Sequence, residues 1–132
     1  MKKIISINQP RVFTLIDAHW LLPVIYRITE ESHLLVRSLL NRMESVKTVN
    51  PVLAAELEME IDREVHRWEV KIEKLGATPK GLWLADFDNG EGYYCWKFPE
   101  TEIKYWHAYN EGFTGRKQIN QPDTSPENFE SL

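Results

Sequence analysis

The stretch NGEGYYCWKFPETEIKYWH, residues 89–107, decides the fold. Asn89-Gly90 is the strongest short hairpin signal in the chain, because both residue types tolerate the positive φ of a two-residue turn. Such a turn sets Phe87 opposite Gly92, Ala85 opposite Tyr94 and Trp83 opposite Trp96. A second turn at Glu100-Thr101 sets Phe98 opposite Ile103, Trp96 opposite Tyr105 and Tyr94 opposite His107. The expectation is a three-stranded antiparallel sheet over about residues 81–108. Alternation then places Trp83, Ala85, Phe87, Tyr94, Trp96, Phe98, Ile103 and Tyr105 on one face, with His107 at its end. That face is apolar enough to be the buried one. The other face (Leu82, Leu84, Asp86, Tyr93, Cys95, Lys97, Lys104, Trp106) is half apolar, so either the segment after His107 or another subunit covers it.

Upstream of the sheet the pattern is helical. Thr14 and Asp17 resemble a capping box. From there Leu15, Ala18, Leu22, Ile25, Val36, Leu39, Met43 and Val46 recur at spacings of one helix face, with Thr29 and Ser32 thinning the stripe. Pro23 lies inside this helix, where it removes one backbone donor. Asn50-Pro51 restarts the chain as N-cap and first-turn proline. Ala54, Leu57, Ile61, Val65, Trp68, Ile72 and Leu75 then form a cleaner stripe, ended by Gly76 and Pro79. The expected helices span about 15–46 and 51–75, roughly 45 and 35 Å long. Their short link makes them antiparallel neighbours. Few small domains need helices so long, which points to a coiled-coil-like hairpin that packs on another copy.

The predicted architecture is therefore α+β: a long antiparallel helical hairpin followed by a three-stranded antiparallel sheet packed on it. Residues 1–117 form one domain, with a polar, proline-containing tail at 118–132 read as flexible. Ile4 to Ile7 can add a short edge strand. The net charge of −4 and scattered basic residues argue against nucleic acid as partner. The single cysteine asks for no disulfide, and no apolar run reaches membrane-spanning length. With no signal-peptide pattern at the start, a cytoplasmic location is expected.

Several residues can carry chemistry. Asp62, His66, Glu69 and Glu73 share one helix face at metal-ligand spacing, but such a site needs ligands from a second helix and the first helix offers no matching pair, so the pattern reads first as a solvated charged face. His107 ends a strand beside Trp106 and precedes a glycine loop, a rigid support for a site; as a core histidine its nitrogens would simply bond backbone. In the register above, Asp86 and Cys95 lie on the opposite sheet face from His107. Cys95 reads as a small buried residue. Gly112-x-x-Gly115-Arg116 puts a two-pronged donor in a tight turn, able to grip a carboxylate or phosphate.

These phrases also carry a resemblance. The opening Arg11-x-Phe13-Thr14-Leu15-x-x-Ala18-x-x-Leu21-Leu22-Pro23 is similar to the start of the bacterial and archaeal domain-of-unknown-function family 2203. Gly81-Leu82, Cys95-Trp96-Lys97, Glu100-x-Glu102-Ile103, Tyr105-Trp106-His107 and Gly112-Phe113-x-Gly115-Arg116 follow in the family's order. The resemblance covers about residues 11 to 117 and draws attention to Glu100, Glu102, His107 and Arg116. It implies no activity. Where family members carry acidic residues after the Tyr-Trp-His phrase, this chain has Ala108 and Asn110.

Two roles follow. The first is a non-enzymatic assembly or adaptor module, homodimeric through its helices, with no cofactor. The alternative is a metal-dependent or small-molecule enzyme, or a ligand-binding protein. In it His107, Glu100 and Glu102 are the catalytic candidates. Arg116, Gly112, Gly115 and Trp106 would grip a small anionic ligand. His107, or Asp62, His66 and Glu69, would hold a divalent metal.

Overall fold

The computed structural model describes residues 11–119. Helix α1 (Leu15–Val46) begins with the expected capping box: Thr14 Oγ1 accepts from Asp17 N–H at 3.0 Å, and Asp17 accepts from Thr14 N–H at 3.2 Å. Helix α2 (Pro51–Lys74) is capped by Asn50, whose side chain accepts from Leu53 N–H at 3.1 Å. Thr29 meets Trp68 and, three residues on, Ser32 meets Glu64, so contacts step backward along α2 as they step forward along α1. The two polar positions in the α1 stripe are hydrogen-bonded. Thr29 Oγ1 accepts from Trp68 Nε1 at 2.8 Å, and Ser32 Oγ donates to the buried Glu64 carboxylate at 2.7 Å. No helix among the described residues is long and apolar enough to cross a membrane.

The sheet has five strands rather than three, all antiparallel to their neighbours and ordered β1-β2-β3-β4-β5. They are β1 (Thr78–Gly81), β2 (Leu84–Asp88), β3 (Gly92–Lys97), β4 (Tyr105–Ala108) and β5 (Lys117–Gln118). The two additions are edge strands. One holds Pro79, which sequence patterns treat as a breaker although a sheet edge tolerates it; the other is two residues long in a polar stretch. The possible strand at 4–7 lies outside the described residues, as does all of the expected tail beyond residue 119.

The first hairpin pairs Asp88 with Tyr93, Phe87 with Tyr94 and Ala85 with Trp96. This is two residues from the expected register, because the turn sits one position later: Asn89 N–H donates to Gly92 O at 2.9 Å, leaving Gly90-Glu91 as the connection, and Asn89 Oδ1 accepts from Glu91 and Gly92 N–H at 2.8 and 2.9 Å. An even shift preserves the faces, so Ala85, Phe87 and Trp96 are buried against the helices as expected.

The second hairpin corrects the expected one. β4 pairs Tyr93 with His107, Tyr94 with Trp106 and Cys95 with Tyr105, one residue from the predicted register. An odd shift turns every β4 side chain to the other face. The cause is the connection: residues 98–104 form a broad loop in place of a two-residue turn at Glu100-Thr101. Trp96 Nε1 donates to Glu100 O at 2.7 Å, Lys97 N–H donates to the Glu100 carboxylate at 2.9 Å, and Ile103 is buried. Ile103 N–H also donates to His19 Nε2 at 3.2 Å, tying the loop to α1. His107 and Tyr105 thus leave the helix-facing surface, and Trp106 joins it.

The core between the layers is aromatic. Trp68 meets Trp83 edge-on at 5.0 Å between centroids, and Phe13 meets Phe87 edge-on at 5.2 Å. Gly92 holds β3 close to β4, since a Cβ there would stand 2.5 Å from the His107 carbonyl oxygen. Gly92→Ala should therefore destabilise the fold by at least about 2 kcal/mol in urea unfolding. Gly112→Ala, where a Cβ meets nothing within 4 Å, should be close to neutral.

Candidate functional site

The changed register assembles a cluster on the sheet face away from the helices. Asp86 in β2 stands opposite Cys95 in β3, and His107 in β4 lies on the same face. All three are buried, at 2%, 1% and 1% exposure. The Asp86 carboxylate, the Cys95 sulfur and a His107 ring nitrogen lie within 4.8 Å of one another. The expectation that Asp86 and Cys95 could not join His107 is thereby corrected, and its cause was the β4 register alone.

The hydrogen bonds define how protons are held. His107 Nδ1 lies 2.9 Å from Ala108 O, a carbonyl that can only accept, so Nδ1 carries a proton. His107 Nε2 lies 3.0 Å from Asp86 Oδ2. That contact needs one proton between the two atoms, whether it resides on the ring or on the carboxyl. Burial raises the Asp86 carboxyl above the usual carboxylate range, opposed by the charges of His107 and Lys80. The Cys95 thiol is pushed up to about 12, first by burial and then by the Asp86 charge. It is thus a protonated thiol, hydrogen-bonded to Asp86, and no activated nucleophile.

A cavity of about 180 Å³ opens beside the cluster, lined also by Lys80, Leu84, Glu111, Gly112 and Phe113. Lys80 Nζ lies 3.9 Å from Asp86 Oδ2 and 4.6 Å from the Tyr93 ring centre. The segment after His107 folds back over this face, the first of the two covers expected from its half-apolar character. Arg116 straps it down. Its guanidinium sits 4.0 Å from the Tyr105 ring centre and 4.2 Å from that of Phe113. Its two terminal nitrogens reach the two Glu100 oxygens at 3.1 and 2.6 Å. Burial works against the Arg116 charge, but hydrogen bonds and charge from Glu100 outweigh it and raise the pKa.

The structure therefore places the sequence candidates apart. His107 is in the cluster. Arg116 and Glu100 bind each other, and Gly112 borders the cavity while Gly115 packs near Glu111. Glu102 is exposed, and Trp106 lies on the opposite sheet face. Asp62 and His66 are exposed on α2; His66 Nδ1 lies 3.9 Å from Glu69, and no ligand from α1 joins them in any three-residue grouping among the described residues. Asp86 and Cys95 were the residues missed. Their signal was present: an aspartate interrupting the apolar run 82–87, one strand away from the lone cysteine. A roomier apolar groove, about 360 Å³, lies elsewhere between α1 and Thr101. Its histidine, His19, already accepts from Ile103 N–H, so the chemistry concentrates at the smaller cavity.

A family model described as "Uncharacterized conserved protein (DUF2203)" matches residues 11–119, and the chain belongs to that family. No curated protein and no solved structure matches it.

The raised thiol carries a pH dependence. The folded state holds the Cys95 proton more tightly than an exposed thiol does, so this contribution to stability is complete below pH 9.0 and is lost as pH rises towards 12. Unfolding of chelator-treated, metal-free protein followed from pH 8 to 12 should show a loss of up to about 1.4 kcal/mol per pH unit from this group. Cys95→Ser should remove that component of the slope.

Proposed function

We propose that this protein binds one divalent transition-metal ion through Asp86, Cys95 and His107, with a fourth coordination position open to the cavity under Gly112 and Phe113. The observation that carries this reading is the convergence of three different donor atoms, all buried, within 4.8 Å. Two negative ligands, thiolate and carboxylate, with a neutral imidazole would cancel the charge of a divalent ion. One sulfur, one nitrogen and one oxygen suit zinc, cobalt or iron rather than calcium or magnesium. The cluster without metal must instead hold a shared proton and an unionised thiol in the protein interior. Metal binding replaces both protons.

Three protein ligands and an open position fit a centre that activates bound water or polarises a carbonyl, rather than a closed structural site. His107 Nδ1–H donating to Ala108 O fixes the ring so that Nε2 is the ligand. Lys80, beside Asp86 at the cavity, would draw a small anion towards the open position. Glu100 and Arg116 serve this reading as the strap that positions the loop over the cavity.

The test is titration of metal-free protein with Co²⁺ or Zn²⁺. One equivalent of Co²⁺ should bind and give a thiolate-to-cobalt charge-transfer band. Cys95→Ser should abolish the band, while His107→Ala and Asp86→Asn should each weaken binding by at least about 100-fold. Asp86→Asn keeps a donor for His107, so its fold should persist. Because two protons leave, affinity should rise with pH by up to about 100-fold per unit. Absence of stoichiometric binding, or binding unchanged in Cys95→Ser, would refute the assignment.

A further inference from the structure

Helix α1 carries a second seam besides the stripe it buries. Trp20, Val24, Arg27, Glu31, Leu34 and Ser38 follow at steps of 4, 3, 4, 3 and 4, the spacing that keeps a helix face against a partner helix. All six are exposed. Trp20 is 79% exposed and Leu34 56%, with Ile16 and Leu35 flanking them, also exposed. The buried stripe of the same helix is a different set, running from Ala18 through Ile25 and Ser32 to Leu39.

The seam is complementary to itself when reversed. About the level of residue 29, Arg27 and Glu31 are equidistant, as are Val24 and Leu34. A two-fold axis at that level would set each Arg27 against the partner's Glu31 and each Val24 against the partner's Leu34. Within one helix the arginine precedes the glutamate by four residues, the weaker order for an internal pair. No ion pair between them forms among the described residues.

We infer that two copies of the chain associate antiparallel through this seam, in the register that pairs Arg27 with the partner's Glu31. Charges at the centre of an apolar seam fix register and orientation, because any slip leaves them facing apolar groups. On either side Val24 against the partner's Leu34, and the Trp20 ring over the partner's Ser38, supply the burial. This inference is independent of the metal site, which lies on the sheet face away from the helices.

Sedimentation velocity of the full chain from about 1 to about 200 µM reads it directly. The wild type should be dimeric. Arg27→Glu and Glu31→Arg should each raise the dimer Kd about tenfold or more, since each places like charges together twice. The double variant should return close to wild-type affinity, and Leu34→Asp should give monomer. Circular dichroism checks that each variant stays helical. A wild-type monomer throughout, a dimer indifferent to either single swap, or a double variant that stays weak would each overturn the proposal.

Discussion

The register between β3 and β4 is the constraint on which the rest of this structure depends. Tyr93 opposite His107 puts the imidazole over Asp86 and Cys95, whereas Tyr94 opposite His107 would send it into the helix-facing core. A close backbone approach and a tethered loop enforce the register together. Gly92 leaves no room for a side chain between its backbone and the His107 carbonyl, and the 98–104 loop closes around Glu100. With Ile103 buried and held by His19, the loop enters β4 with the opposite parity from a tight turn.

Glu100 joins this constraint to the lid over the cavity. Its backbone carbonyl takes the Trp96 indole N–H, one carboxylate oxygen takes Lys97 N–H, and both oxygens bind Arg116. Arg116 in turn lies between Tyr105 and Phe113. A guanidinium held by two rings and a carboxylate has little freedom left to take up a ligand, so its consequence is positional. The loop that sets the strand register is thus the same loop that anchors the cover of the cluster. This coupling explains why a glycine-spaced arginine sits so close in sequence to the histidine it never touches in the hydrogen-bond network.

Much of the architecture was legible from residues alone. The helix ends were announced by Thr14, Asp17 and Asn50-Pro51, whose capping chemistry is local and survives unchanged in the fold. The faces of β2 and β3 were legible too, because Asn89 shifted their pairing by an even number of residues. His107 was recognisable as a candidate, but its neighbours were not. They depend on whether a loop holds an even or odd number of residues, and the parity of 98–104 is decided by tertiary contacts of Ile103 and Glu100. Thr29 and Ser32 show the same limit: as polar interruptions they looked like weak points, yet their partners, Trp68 and Glu64, lie on the other helix and make them specific contacts.

X-ray absorption at the zinc edge of zinc-loaded protein can show whether this register builds the proposed three-donor metal centre. One sulfur is expected at about 2.3 Å, and nitrogen and oxygen at about 2.0 to 2.2 Å, with imidazole scattering. The sulfur shell should vanish in Cys95→Ser. A zinc ion surrounded only by oxygen and nitrogen in the wild type would rule out that centre, because Cys95 could not then share it with His107.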